Sequence, residues 1–297
     1  MIRPRLQSPL VTASAFWDRQ ATANRPRYWA DYPAVRRYVN ECVTDSWWAY
    51  PTHGFKAGWA YKPLARGLSI GCGTGLLERD LRWLRICEEV DAFDISPESI
   101  RLARERAASD GFDHVHFEVA DCEQYDYRRD HYDAVFFHGS MHHMSDPAAL
   151  LDRIAPALHD GGLIFLDDYV GPSRDQWRAV DLSLAQAAYD KLPRAWRTVE
   201  TLSPPFDASD PSEMIRSDAI LPAVRAHFET LWERPYWGNI LFPVLSNVVE
   251  AEAGAADAEG ILNDLIAYER RLVRDGVIKT PYFVWMTGKM ILPPRNV

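Results

Sequence analysis

Between residues 63 and 170 the chain alternates short apolar runs with stretches whose apolar residues recur at helical spacing. The first run ends Leu68-Ser69-Ile70, and Leu77, Leu81 and Leu84 then mark one face of a helix. Further strands are expected at 90–93, 114–119, 132–137 and 163–166. Ser96 is placed to cap a helix, with Pro97 at its first position and Glu98 against its positive end. Ile100, Ala103 and Ala107 form that helix's inner face. Asp146-Pro147 opens another, carried by Leu150, Leu151, Ile154 and Leu158 and stopped by Gly161-Gly162. Strands alternating with helices predict an α/β fold, a parallel sheet covered on both faces. Such sheets bind ligands beyond the carboxyl ends of their strands.

Outside that span the pattern changes. Residues 1–62 are dense in aromatics, among them Phe16, Trp17, Trp29, Tyr38, Phe55 and Trp59. Val35, Tyr38, Val39 and Cys42 predict a short helix, and 51–58 reads as a loop. A segment this aromatic is expected to be ordered, as a helical cap that packs on the core and closes over the site. After residue 170, Trp177, Val180, Leu184, Ala187 and Ala188 predict a helix ending near Pro193. Prolines at 204, 205 and 211 mark an irregular passage, and 214–228 reads as helical apart from Pro222. The span 171–225 is therefore expected to be a lid inserted between strands five and six. Residues 226–297 complete the core, with a strand at 227–234, a helix at 258–274 and a last strand at 282–286.

The chemistry starts where the first run breaks. Gly71, Gly73 and Gly75 stand at every second position, which is neither the G-x-G-x-x-G of a dinucleotide site nor a Walker loop. Asp94 closes the second apolar run, where a carboxylate can accept both hydroxyls of a ribose. The combination describes a nucleoside site without a pyrophosphate cradle.

The ordered runs SIGCGTG, FDIS, VADCE, YDAVFFHGSMHHM and the Gly-Gly strand resemble the class I S-adenosylmethionine-dependent methyltransferases over roughly residues 64–169. The resemblance implies a Rossmann-like, doubly wound, seven-stranded and mostly parallel sheet, with S-adenosylmethionine as cofactor. It implies that Gly71, Cys72, Gly73 and Gly75 pack on the methionine part, with His138 beside them. It also implies that Asp94 and Ile95 hold the ribose and that Asp121 and Cys122 lie near the adenine. The stretch from Asp168 to Arg174, with Gln176-Trp177, is similar to a bacterial subgroup of small-molecule methyltransferases.

Methyl transfer from a sulfonium is an in-line displacement that needs alignment and exclusion of water. A base is required only when the acceptor must lose a proton. His142 and His143 are the first candidates, because imidazole titrates near working pH; the bland alternative is a pair that structures its loop. Of Asp167 and Asp168 only one can face the site, since adjacent strand residues point to opposite faces, and Asp168 is preferred. Tyr169, Arg174 and Trp177 are candidates for holding the acceptor, Arg174 by a bidentate grip on an anionic group. The alternative for Arg174 is an ion pair with a neighbouring acid. No metal is expected: the fourth strand ends Phe137-His138-Gly139-Ser140, without the carboxylate of catechol-type methyltransferases.

Composition narrows the partners. The 297 residues carry a net charge of -9 and no long basic run, which argues against a nucleic-acid surface. The four cysteines are scattered without a C-x-x-C pair, so neither disulfides nor a zinc site is indicated. Residues 240–249 are interrupted by Pro243, Ser246 and Asn247 and are too short to span a bilayer. Residues 1–16 lack the apolar core of a signal peptide, so a cytoplasmic location is expected. An excess of Arg over Lys and abundant Ala look like a GC-rich bacterial genome. The expected partner is a small-molecule acceptor, with a homodimer left open. The expected reaction is methylation of a hydroxyl on a natural product or saccharide. The alternatives are C-methylation of a prenyl chain or activated ring, and a cofactor-binding regulator or complex subunit that transfers nothing.

Overall fold

The computed structural model describes residues 9–23 and 27–291, so the reading of 1–16 lies partly outside the described residues. Helices α1 (Pro9–Thr22), α2 (Pro33–Thr44) and α3 (Pro51–Gly58) precede the first strand. Then β1 (Leu64–Ile70), α4 (Leu76–Trp83), β2 (Cys87–Asp94), α5 (Pro97–Asp110), β3 (Val115–Val119) and β4 (Tyr132–His138) follow. Next come α6 (Pro147–Ile154), β5 (Leu158–Tyr169), α7 (Ala179–Tyr189), α8 (Ile220–His227) and β6 (Phe228–Trp237). The chain closes with α9 (Leu241–Leu245), α10 (Glu250–Ala253), α11 (Glu259–Arg274) and β7 (Phe283–Met290).

The seven strands lie in the order β3-β2-β1-β4-β5-β7-β6. Pairings from β3 through β5 are parallel, and β7 runs antiparallel to both β5 and β6. The order reverses between β1 and β4, and a doubly wound sheet opens a crevice at such a point. Leu77, Leu81, Ile100, Ala103 and Ala107 are buried on one face of the sheet. Leu150, Leu151, Ile154, Ile220 and Val224 are buried on the other. The predicted caps are in place: Ser96 Oγ accepts from Ser99 N at 3.0 Å, and Asp146 accepts from Ala148 N and Ala149 N.

Several boundaries differ from the sequence expectation. Residues 51–58 form a helix and not a loop. Pro51 stands at its first position, where the missing N–H has no intrahelical partner. Its Phe55 packs edge-on against Phe136 and Phe165 of the sheet. Helix α6 ends at Ile154, not Leu158, because Pro156 cannot donate the next helical bond. Strand β5 already begins at Leu158, and Gly161-Gly162 lie inside it. Its register against β4 shifts there between Tyr132 and Ala134, so the glycines make a bulge and not a stop. Residues 214–219 precede α8, whose Pro222 falls in the first turn where no backbone bond is lost. Strand β6 runs on through Pro235, which an edge strand tolerates.

The flanking segments divide by what they touch. Helices α2 and α3 bury Val35, Tyr38, Val39 and Phe55 against the sheet and α11. Helix α1 instead crosses the end of α5. Ser14 Oγ donates to Ile95 O at 3.0 Å, and Asp18 accepts from Ser96 Oγ at 2.7 Å and Glu98 N at 3.0 Å. Asp18 thus sits at the positive end of α5, and α1 is pinned across the crevice. Residues 220–225 of the expected insertion belong to α8, which packs under the sheet with α6. Among the described residues no helix is long and apolar enough to cross a membrane.

Candidate functional site

The strand ends meet at one cavity of about 750 Å³, within the roughly 300–1,000 Å³ usual for small-molecule sites. Its floor is the loop after β1, fastened on three sides. Gly71 N and Cys72 N donate to Phe93 O at 2.9 and 3.1 Å, and Gly73 N donates to Asp94 Oδ2 at 2.9 Å. From the side of β4, Ser140 Oγ donates to Ile70 O at 2.7 Å. Gly71 has φ +69°, and a Cβ there would lie 2.6 Å from Ser140 Cβ. Gly71→Ala should therefore displace the loop and weaken S-adenosylhomocysteine binding at least about tenfold. The control is Gly111→Ala at the end of α5, with φ +71° and open space around it. Calorimetry giving both variants the same affinity would overturn this account of the cradle.

Of the candidate residues, Gly71, Cys72, Gly73, Asp94, Ile95, Cys122, His138 and His143 line the cavity. Gly75 lies beneath it, against Phe117 and Ala103, at φ +81°. Asp121 turns back on its own loop, accepting from Glu123 N and Gln124 Nε2. The acceptor candidates are engaged inside the chain. Tyr169 Oη donates to Pro172 O, Arg174 donates to the carbonyls of Asp210 and Glu213, and Trp177 packs edge-on against Tyr282. The grip foreseen for Arg174 is thus taken by backbone oxygens of the insertion.

The two aspartates near the end of β5 part as alternation requires, and neither lines the cavity. Asp167 accepts from Tyr236 Oη at 2.8 Å and stands 3.2 Å from His138 Nδ1. Partial desolvation pulls the half-exposed His138 downward, but the carboxylates of Asp167, Asp168 and Glu78 outweigh it and hold the ring above its ordinary range. Asp168 is 1% exposed and braces the loop after β4. It accepts from Ser140 N at 3.0 Å and Met141 N at 2.7 Å through one oxygen. Its other oxygen accepts from Tyr169 N at 2.7 Å and meets His142 Nδ1 at 2.5 Å. For His142 burial again opposes charge, yet Asp168 and Glu213 lift it to about 9. His143 projects past this pair into the cavity, its ring edge-on to Trp17 of α1 with centroids 4.9 Å apart.

Four residues escaped the sequence reading. Ser212 lines the cavity and meets His143 Nδ1 at 3.2 Å, with Asp210 and Glu213 beside it. They come from the irregular passage, which carries no periodicity to mark them. Glu78 did leave a signal: an acid between Leu77 and Leu81 on the inward stripe of α4. It is fully buried, lines the cavity, takes the Ser69 hydroxyl on one oxygen, and has no hydrogen-bond partner on the other. Burial lifts its carboxyl to about 7.

A family model described as "Methyltransferase domain" matches residues 62–217, just over half of the chain. The chain belongs to that family. It is a class I S-adenosylmethionine-dependent methyltransferase in fold and cofactor. It is 33% identical over 103 residues to a ubiquinone biosynthesis O-methyltransferase of Xanthomonas axonopodis pv. citri, covering 34% of this chain and 42% of that one. It is 31% identical over 106 residues to the methyltransferase GfsG of Streptomyces halstedii, covering 35% and 37%. The chain thus spans well under half the length of these curated relatives. Among solved structures, a geranyl diphosphate C-methyltransferase of Streptomyces coelicolor superposes with a TM-score of 0.53 at 13% identity, covering 97% of this chain and 100% of that one.

The methyltransferase's cavity fits the cofactor on its own features. Gly71 and Gly73 adopt positive φ so that backbone lines the floor, and Asp94 presents a carboxylate at the end of β2. The unpartnered oxygen of Glu78 is a buried acceptor with no donor inside the protein.

Proposed function

We propose that this methyltransferase methylates a hydroxyl of a small molecule held between the glycine loop and the pair His143 and Ser212. One observation carries the reading. A single cavity reaches from Gly71, Glu78 and Asp94 to His143 and Ser212, with Trp17 over it. The bound cofactor supplies an electrophilic methyl group. Asp94 is suited to the ribose hydroxyls, and Ile95 and Cys122 offer apolar atoms to the adenine. Glu78 takes the ammonium of the methionine part on its free oxygen. Trp17 excludes water, and Asp168 fixes the ring of His142 so that the His142-His143 pair faces the acceptor side in one orientation.

The test is calorimetric binding of S-adenosylhomocysteine, followed by incubation with methyl-labelled cofactor and a panel of phenols, macrolide-type alcohols and saccharides. A labelled methyl ether, recognised by its downfield carbon resonance, is the expected product. Failure to bind S-adenosylhomocysteine would remove the cofactor assignment, and a labelled C-methyl product would remove the hydroxyl assignment.

A further inference from the structure

We propose that His142, His143 and Glu213 form a divalent-metal site just behind the cavity wall, which His143 alone of the three lines, of a kind that takes Zn²⁺ or Co²⁺ and keeps its remaining position toward the cavity. The role for the acceptor rests on the hydroxyl reading above; the site itself does not. Each of the three residues offers one ligand atom, all within 4.8 Å of one another. His142 Nε2 lies 3.5 Å and His143 Nδ1 3.9 Å from the Glu213 carboxylate. Around a tetrahedral ion with bonds of about 2.0–2.1 Å, neighbouring ligand atoms stand roughly 3.4 Å apart. The two contacts, one to each oxygen of the carboxylate, are longer than that by about 0.1 and 0.5 Å, so the three groups would draw together slightly around an ion.

Three further features match a metal centre. His142 Nδ1 is held by Asp168 at 2.5 Å, which leaves Nε2 as the outward atom. A carboxylate behind a ligating imidazole is the usual support for such a ligand. Asp210 is fully buried, its Oδ2 has no hydrogen bond, and that atom stands 3.7 Å from His143 Nδ1. Asp168, Asp210 and Glu213 also bring three carboxylates, none more than 17% exposed, around two imidazoles. Arg174 adds one positive charge from behind, and a dication would offset the rest. The sequence expectation of no metal looked for a carboxylate at the end of β4. Here the carboxylate arrives from residue 213, beyond β5. An ion so held would take the acceptor's oxygen and lower the pKa of its hydroxyl.

The experiment uses the full chain, stripped with a chelator and dialysed. Zn²⁺ is titrated by calorimetry and Co²⁺ by its visible absorption, alongside His142→Ala, Glu213→Gln and Glu213→Asp. The expected result is one ion per chain, the intense absorption of a low-coordinate Co²⁺ site, and affinity at least tenfold weaker in every variant. S-adenosylhomocysteine binding should stay within threefold in the Glu213 variants, since Glu213 does not line the cavity. Should Glu213→Gln lose that binding through misfolding, Glu213→Asp decides. Wild-type protein that takes up neither ion, or variants that bind both as well as wild type, would overturn the site in favour of a hydrogen-bonded ionic network. Metal binding without hydroxyl methylation keeps the site and removes only its role toward the acceptor.

Discussion

Replacing Asp168 with asparagine is expected to cost the fold about 3–5 kcal/mol, the range for breaking a buried ionic group. The four groups facing that carboxylate are the N–H groups of Ser140, Met141 and Tyr169 and the His142 ring. A carboxylate can accept from all of them. An asparagine offers one oxygen and one NH₂, so at least one backbone donor is left facing a donor in a site closed to water, and His142 is forced into the neutral tautomer that accepts at Nδ1. The melting temperature should fall by roughly 5–8 °C. His142→Ala removes one of the four donors and leaves the backbone bonds intact, so its loss should be about 1–2 kcal/mol. Denaturant unfolding that gives the two variants equal losses would mean that Asp168 serves only to pair His142 and does not build the loop.

Glu78→Gln should move stability and ligand affinity in opposite directions. The carboxyl has an ordinary value of 4.5 and is raised to about 7 by burial. Stability is therefore intact below about 4.5 and is lost as pH rises toward 7, because the folded state resists the charge that the unfolded chain takes up freely. At about 1.4 kcal/mol per pH unit the unligated fold gives up on the order of 3 kcal/mol by pH 8. The glutamine variant escapes that loss, so its melting temperature at pH 8 should exceed wild type by roughly 3–6 °C, with no resolvable difference at pH 4. The same change removes the partner proposed for the cofactor's ammonium. Truncating one side of a buried charge pair costs at least about 2 kcal/mol, or roughly 30-fold in S-adenosylhomocysteine affinity. Wild-type affinity should also climb between pH 6 and 7.5 as Glu78 ionises, then pass a maximum and fall above about pH 8, where an α-amino group loses its proton. An affinity within threefold of wild type in Glu78→Gln would remove Glu78 from the cofactor site.

How much of this could be read in advance follows from how local each signal is. The β1–α4 turn, the Ser96 and Asp146 caps and the acid after β2 depend on neighbours within a few residues, and the structure shows each in place. Helix α3 is invisible to the local pattern because Phe55 owes its burial to Phe136 and Phe165, more than eighty residues away. The bulge at Gly161-Gly162 is likewise decided by pairing with β4, while the glycines alone fit a helix stop equally well. Arg174 offered a plausible anion grip until the carbonyls of Asp210 and Glu213 closed on it.

The doubly wound core, the floor of the cavity and the family are legible in the residues alone, because strand-end glycines and acids keep fixed distances from the turns that place them. The residues also name His142, His143 and Asp168 as neighbours in chemistry. Only the tertiary structure decided that Asp168 holds the loop while His143 meets the cavity, and that Glu78 lies buried at its wall. Only it brought Asp210, Ser212 and Glu213 to the two histidines. Those meetings join elements some seventy residues apart across an aperiodic segment, and long-range packing, not local propensity, sets where such a segment lies.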